Sequence, residues 1–323
     1  TICFILITGR QIPLYYGSSF SYIAAITAIT GVKAIGDVAP DHLISQAQFG
    51  IILSGLVSIV AGFIVNAVGN KAIEKILPAT VTGSVAIIIG LSLAGNAMSN
   101  AVAIPDGAEN AALAQNMAWL IALITLISTV LYSVYLKGKL SQLPILFGLL
   151  TGYIAALIID QITGLGFVNF NRLDTTSIFQ VPHFTFPKPS LSALLAIMPI
   201  AIATIPESTA HIFQLDIYVK DLAKKKGVNK EYALDKKLGL NLIGDGIGDI
   251  VSAAIGGPAG TNYGENISTM AITKVFSVPM LATAAIIAMI VSFFTPLISV
   301  IYGIPLAVIG GLEIYLFGAI AAQ

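Results

Sequence analysis

Charged residues are scarce in this chain. Only 10% of its 323 residues are Asp, Glu, Lys or Arg, and their charges sum to zero. A soluble domain carries about 25% charged residues, so the composition argues against a soluble globular protein. Outside one lysine-rich loop there is no basic patch of the kind that binds nucleic acid, and we predict no nucleic-acid partner.

Cysteine and histidine are nearly absent. Cys3 is the only cysteine and lies in an apolar run, which excludes a disulfide framework. Of the three histidines, His42 and His183 fall in loops between apolar segments. An enzyme in a membrane would need a nucleophile with its base, or several metal ligands, on adjoining helices. We therefore predict that the protein is not an enzyme and has no cofactor or metal.

Apolar residues make up most of the chain. They account for 56% of it, and the mean hydropathy is +0.91. Runs of about 20 apolar residues recur, each long enough to cross the ~30 Å hydrocarbon layer as a helix. The sequence predicts an all-α polytopic membrane protein with ten apolar segments: 1–9, 13–31, 46–68, 76–98, 114–136, 142–163, 191–219, 238–255, 262–277 continuing into 278–302, and 304–322.

The two ends of the chain both lie at apolar segments. Thr1 opens the chain inside one such segment, without a methionine, and Gln323 closes it directly after another. We therefore expect an internal fragment of a longer protein.

Lysine and arginine are distributed unevenly over alternate loops. One set contains thirteen: Arg10, Lys71, Lys75, Lys137, Lys139, Lys274 and the seven lysines from Lys220 to Lys237. The other set contains three: Lys33, Arg172 and Lys188. Because positive residues favour the cytoplasmic side, we predict a multi-pass protein of the plasma (inner) membrane with its lysine-rich loops in the cytoplasm. The stretch KDLAKKKGVNKEYALDKK is then a solvated topology signal, with lipid recognition as the alternative.

Two unusually polar stretches near opposite ends resemble each other. YGSSFSYIAAI, from Tyr16, and YGENISTMAIT, from Tyr263, share four of eleven aligned residues, and each follows a proline. Paired interrupted segments indicate the midplane site of an inverted-repeat transporter. Broken backbone at membrane depth must face protein or a water-filled cavity. The N–H groups that begin each half-helix can bind carbonyl oxygens or anions.

Ionisable residues inside apolar segments cost at least about 2.5 kcal/mol each to insert, so each needs a reason. The candidates are Asp160, Glu207, His211, Asp216, Asp245, Asp249, Glu265 and Glu313. Glu207 and His211 are four residues apart and share one helical face. We predict that Glu207 exchanges protons with help from His211. We also predict that Glu265, at the start of a broken helix, is functional.

The other acids fit different roles. Asp245 and Asp249 lie in GDGIGD, whose glycines favour close helix packing with the carboxylates bonded to backbone, so we interpret both as structural. Asp160 and Asp216 lie near segment ends and are interpreted as interfacial. A proton-linked role for Glu313 stays open.

Four stretches together resemble the nucleobase–ascorbate transporter family, in particular its bacterial uracil permeases. They are IPLYYGSSFSYI, IPESTAH, TNYGENISTMAITK and IPLAVIGGLEIYLFG. The third is similar to the family signature at Glu265, Asn266, Thr273 and Lys274, and glutamate at the first of these positions is typical of uracil permeases.

Three residues depart from that pattern. Ser268 stands where the family usually has Gly, which tightens the space near the site. Ser208 and Thr209 replace a more usual His and Val. A relaxed or shifted substrate specificity would follow from these changes.

The resemblance implies an inverted-repeat fold of seven plus seven spans, with short β-strands in two interrupted spans, in a homodimer. Core-domain spans would occupy 1–68 and 191–302, gate-domain spans 76–163, and the truncated start of the second gate half 304–323. The fragment would lack the first span, part of the second, and the last two.

The resemblance and the residues together imply proton-coupled import of uracil through the lipid bilayer. Glu207 and Glu265 would accept the two ring N–H groups, because a carboxylate is a strong acceptor. Backbone N–H groups near Phe20 and Gly264 would bind the carbonyls, and the Phe20 ring would lie against the base. Tyr263 is a further predicted substrate contact. Structural support near the site is predicted from Gly17, Ser18, Ser19, Asn266 and Asp245.

Other readings stay open at this stage. A purine or xanthine permease of the same family is one. An anion transporter of the same architecture is another, although a carboxylate at Glu265 would repel an anion. Sodium instead of proton coupling is a third.

Overall fold

The computed structural model describes residues 1–32, 38–69, 87, 91, 94–105, 107–137, 140, 143–169 and 177–321, without the side chains of residues 265, 268, 272, 320 and 321. The described part is mostly helical, which confirms the all-α prediction. Its labelled helices are α1 (Ile2–Ile7), α2 (Ile23–Thr30), α3 (Asp41–Val68), α4 (Ala111–Tyr135), α5 (Pro144–Thr163), α6 (Leu191–Ile197), α7 (Ala201–Lys225), α8 (Leu238–Ala254), α9 (Gly264–Thr273), α10 (Val278–Val291), α11 (Thr295–Tyr302) and α12 (Leu306–Ala321). Residues 94–101 are also helical.

Several of these helices are long and apolar enough to cross a membrane. Among the described residues, four qualify by length and composition: α3, α4, α5, and the run Leu191–Lys225 that joins α6 to α7. A fifth span is possible if α11 and α12, which are bent by 75° relative to each other, count as one. The chain is thus a multi-pass integral membrane protein. The predicted segment 76–98 lies mostly outside the described residues.

Both segments predicted to be interrupted contain a short strand followed by a helical turn or helix. Strand β1 (Tyr16–Ser18) pairs antiparallel with β2 (Gly260–Asn262), with Gly17 opposite Thr261. The pairing continues at both ends: the Ser19 N–H donates to the Ala259 carbonyl at 2.9 Å, and the Tyr263 N–H donates to the Tyr15 carbonyl at 3.0 Å. The predicted pair of short strands is confirmed.

The structural correspondence of the two stretches differs from the one read in the sequence. The sequence aligned Tyr16 with Tyr263, yet Tyr16 begins β1 whereas Tyr263 follows the end of β2. Matching the strands aligns Tyr16 with Gly260 instead, a shift of three residues. The alignment was therefore wrong in register, because four identities cannot fix the position of a three-residue strand.

Glycines allow α3 and α8 to pack closely. A Cβ added to Gly55 would lie 2.5 Å from the Gly246 carbonyl oxygen, and one added to Gly62 would lie 2.6 Å from that of Gly239. Such distances leave no room for a side chain, so the two backbones are in direct contact. The close packing expected from the glycines around GDGIGD is observed.

The apolar run 278–302 is not continuous. Helix α10 ends at Val291 and α11 begins at Thr295, with Pro296 in its first turn. Proline is favoured in the first turn of a helix. An N–H at that position would have no partner within the helix, so its loss costs nothing, and the φ of proline is already helical. The proline that the hydropathy pattern passed over therefore marks the start of a new helix.

The chain divides into two compact units. The first comprises Thr1–Val85 and Pro182–Met289, and the second Ala86–Val181 and Ile290–Gln323. Residues 290–302, predicted with the core domain, belong to the second unit. The first unit contains β1, β2 and all the residues of the candidate site. Assignment of core and gate roles to these units remains a prediction.

Candidate functional site

Glu207 lies on α7 beside the first broken span. Its side chain is only 9% exposed, and Oε2 accepts a hydrogen bond from the Ser21 hydroxyl at 3.3 Å. Ser21 belongs to a one-turn 3₁₀ helix, Phe20–Tyr22, that connects β1 to α2. The carboxylate predicted to exchange protons thus contacts the segment predicted to bind the base.

His211 lies one turn further along α7, beside the second broken span. A Cβ added to Gly264 would lie 2.9 Å from His211 Nε2, so the ring packs directly against the first residue of α9. Within the described structure, His211 Nδ1 is buried and has no hydrogen-bond partner. Buried polar atoms are rarely unpaired in folded proteins, so this atom is a candidate to bind water or a ligand.

Asp245 of α8 organises a buried polar cluster behind these two residues. Its carboxylate accepts hydrogen bonds from the Ser208 hydroxyl and, at 2.7 Å, from the Asn262 side-chain amide. Asn241 Nδ2 donates to Ser208 Oγ at 2.7 Å. The cluster connects α7, α8 and β2, and so fixes the α7 face that carries Glu207.

Asp249, one turn beyond Asp245, connects both strands to α8. Its Oδ1 accepts hydrogen bonds from the Tyr16 hydroxyl and from the Gly260 N–H, each at 2.7 Å. These donors belong to β1 and β2 respectively. A three-residue strand pair has few backbone bonds of its own, so the buried carboxylate provides its anchor. The predicted bonding of a GDGIGD carboxylate to backbone is observed here.

Tyr263 fits closely against β1. The Tyr263 hydroxyl lies 3.1 Å from Ser18 Oγ, and its ring stacks on Tyr15 with centroids 6.0 Å apart. A Cβ added to Gly17 would lie 2.5 Å from the Tyr263 hydroxyl oxygen. Only glycine fits at position 17, because the Tyr263 ring occupies the space that a side chain of residue 17 would need.

Replacing Gly17 by alanine should displace the Tyr263 ring and destabilise the protein by about 1–3 kcal/mol, the usual effect of overpacking. A lower melting temperature of the purified protein would show this. Gly318→Ala is the control, because a Cβ there meets nothing within 4 Å; it should leave the melting temperature unchanged or raise it. Equal behaviour of the two variants would contradict the close fit.

The remaining predicted site residues are placed as follows. Phe20 is 41% exposed, so part of its ring surface is accessible. Ser19 Oγ accepts the Ser21 N–H at 3.3 Å and so begins the 3₁₀ turn. The backbone of Glu265 and Asn266 forms the first turn of α9, whereas the Glu265 side chain lies outside the described residues, as does that of Ser268.

The other three predicted acids lie in α5, α7 and α12. Asp160 accepts the N–H groups of Gly166 and Phe167 at 2.5 and 2.8 Å, just after α5 ends. Asp216 binds Lys220 at 2.5 Å in an ion pair. In the second unit, Glu313 accepts the Asn100 side-chain amide at 2.8 Å. Each carboxylate therefore has a local partner.

Sequence reasoning missed four residues of the site. Ser21, Asn241 and Asn262 all contribute to its hydrogen bonds, and Tyr16 was used only as an aligned residue. A signal was available, because Asn241 and Asn262 are amides in or beside otherwise apolar segments. Buried amides need hydrogen-bond partners, although the sequence alone does not identify which residues these partners are.

A polar site where two broken spans meet is the architecture of a membrane transporter. Two solved structures share the fold. The transmembrane domain of the cyanobacterial bicarbonate transporter BicA matches with a TM-score of 0.55 at 16% identity, over 99% of this chain and 84% of that one. SLC26A9 matches with a TM-score of 0.58 at 12% identity, over 99% of this chain and 55% of that one.

The chain belongs to the Permease family, whose model matches residues 1–323. The uracil permease of Bacillus caldolyticus is 36% identical over 100% of this chain and 69% of its own length. The uracil permease of Bacillus subtilis (strain 168) is 36% identical over 100% and 70%. The putative pyrimidine permease RutG of Escherichia coli (strain K12) is 34% identical over 99% and 67%. The resemblance read in the sequence is confirmed, and so is the prediction that the chain is not an enzyme.

Proposed function

We propose that the protein is a proton-coupled permease that imports uracil or a closely related nucleobase. The proposal rests on one observation: a single face of α7 contacts both broken spans. Glu207 contacts the first broken span through Ser21, and His211 contacts the second at Gly264. The names of the relatives, uracil and pyrimidine permeases, give the substrate class.

The chemistry of the site suits a flat, uncharged heterocycle. Uracil has two ring N–H donors and two carbonyl acceptors, and a carboxylate such as Glu207 accepts N–H strongly. The first N–H groups of α9 have no acceptor within their own helix and are suited to a carbonyl oxygen. The accessible face of Phe20 can stack on the base. Glu265 is assigned by its position in the first turn of α9 as the second carboxylate.

Proton coupling follows from the cost of a buried charge. Glu207 is nearly inaccessible to solvent, and a negative charge buried at membrane depth is expensive. Protonation would remove that cost when the empty carrier reorients. His211, with its unpaired Nδ1 on the same face, would pass the proton directly or through water.

The proposal extends to the roles of the two units and to the oligomeric state. The first unit would act as the core domain and the second as the gate domain in a homodimeric carrier with inverted repeats. The lysine-rich loops would lie in the cytoplasm.

The departures at Ser208 and Thr209 do not by themselves argue for a purine substrate. Ser208 bonds to Asp245 on the side facing α8, and the Thr209 hydroxyl donates to the Ile205 carbonyl of its own helix at 2.7 Å. Both hydroxyls therefore donate their hydrogen bonds within the protein and not to a base.

Uptake competition tests the substrate. In cells with the full-length protein, excess unlabelled uracil should abolish uptake of labelled uracil, whereas xanthine, uric acid and bicarbonate should leave most of it. Dissipating the proton gradient should stop accumulation, and removing sodium should not. Stronger competition by xanthine than by uracil would indicate a purine substrate, and competition by bicarbonate would indicate an anion carrier.

His211→Gln should reduce proton-driven uptake by about 2- to 10-fold, the equivalent of one ordinary hydrogen bond. Initial rates across an imposed pH gradient in proteoliposomes measure this. Uracil binding should change less than uptake, because His211 assists the proton and not the base. Complete loss of binding would show instead that His211 holds the substrate.

A further inference from the structure

A cavity separate from the proposed nucleobase site lies at the lysine-rich end of the first unit. Its volume is about 640 Å³, within the range of small-molecule sites. Five cationic side chains are among those that line it: Arg10, Lys226, Lys230, Lys237 and Lys274. They come from three distant parts of the sequence, so the fold and not a local run of lysines concentrates the charge here.

Within the described part of the chain, these cations form no ion pairs with acids of the protein. Among the residues that the structure describes, the ion pairs within 4.0 Å include none of the five. The carboxylate at the cavity, Glu231, is 3.6 Å from Lys236 instead. Burial, together with the nearby charge of Lys230, lowers the pKa of Lys237. The charges of Lys230 and Lys237 therefore repel each other, and a bound anion would reduce that repulsion.

Two of the five residues have backbone conformations that favour glycine. Arg10 has φ 59°, and Lys274, the C-terminal cap of α9, has φ 58°. A residue other than glycine costs about 1–2 kcal/mol in this region, so a cation is held where glycine would be more stable. Attraction to the carbonyl end of a helix is an alternative reason for a cation there, and the experiment must separate the two.

The remaining wall of the cavity is apolar. Val219, Leu222, Phe276 and Val278 line it. A ligand there would place its negative group among the cations and an apolar or flat part against these side chains.

We propose that this cavity binds a phosphate ester whose attached group packs on the apolar wall. A phospholipid headgroup with its adjoining chain and a soluble nucleoside monophosphate both have this chemistry. The lysine-rich loop is then part of a ligand site as well as a topology signal.

The test uses the full-length protein and its melting temperature with inorganic phosphate against chloride at equal ionic strength. Phosphate should raise the melting temperature by about 3 °C, and both Lys274→Gly and Arg10→Gly should lose that rise. Without phosphate the glycine variants should be as stable as the wild type or more so, because glycine suits their backbone. Lys224→Gln, an exposed lysine of the same region outside the cavity, should keep the full rise.

A second comparison identifies the source of the ester. In phosphatidylcholine nanodiscs, stabilisation by added phosphatidylglycerol indicates a lipid headgroup, and stabilisation by uridine monophosphate indicates a soluble ester. In either case Lys274→Gly should remove the effect. The proposal is overturned if the glycine variants keep the same stabilisation as Lys224→Gln, or if neither ester stabilises the wild type.

Discussion

Replacing Glu207 by glutamine is expected to reduce uracil binding by roughly 10- to 150-fold, the equivalent of one hydrogen bond to a charged group, and to abolish proton-driven accumulation. Glutamine preserves the shape of the side chain and can still accept the Ser21 hydroxyl. It removes the negative charge proposed to attract a ring N–H and the group proposed to take up a proton. Binding to purified protein and uptake into proteoliposomes under an imposed pH gradient measure the two losses separately.

Ser21→Ala is the matched control for Glu207→Gln. It removes the 3.3 Å hydrogen bond to the carboxylate but leaves the charge. We expect about a 2- to 10-fold loss of binding, with proton-driven accumulation retained. Accumulation by Glu207→Gln at the wild-type rate would refute the proton role, whatever its effect on binding.

Replacing Asp249 by leucine is expected to destabilise the protein by about 2–6 kcal/mol. The substitution leaves both the Tyr16 hydroxyl and the Gly260 N–H buried without their acceptor, at about 1–3 kcal/mol for each. We expect a melting temperature lower by about 5–15 °C and loss of uracil binding, because the two strands position the broken spans.

Tyr16→Phe separates the two bonds. It removes one donor to Asp249, while the Gly260 N–H still donates to the carboxylate, so the loss should be about 1 kcal/mol. An Asp249→Leu variant as stable as Tyr16→Phe would show that the strand pair does not depend on the carboxylate.

The broken spans were predictable because their cause is local. Proline and glycine beside serine, asparagine and glutamate do not form an uninterrupted apolar helix, and this is evident in the sequence at Pro13 and Gly264. The shared face of Glu207 and His211 was also predictable, since a spacing of four residues places two side chains together on any α-helix.

The partners of these residues were not predictable. That Ser21 reaches Glu207, and that Asp249 reaches Tyr16, depends on contacts between residues 186 and 233 positions apart in the chain. The alignment of the two similar stretches was wrong for a different reason, because four identities in eleven residues cannot place a three-residue strand. The cationic cavity was likewise missed, because Arg10 and Lys274 join the lysine loop only in the folded chain.

The most direct test of the account is an experimental structure of the full-length protein with uracil bound. The account predicts density for the base against the Phe20 ring, with a ring nitrogen within hydrogen-bond distance of a Glu207 oxygen and a carbonyl facing the first turn of α9. A base bound away from both Glu207 and Phe20, or a Glu207 side chain facing lipid, would contradict it.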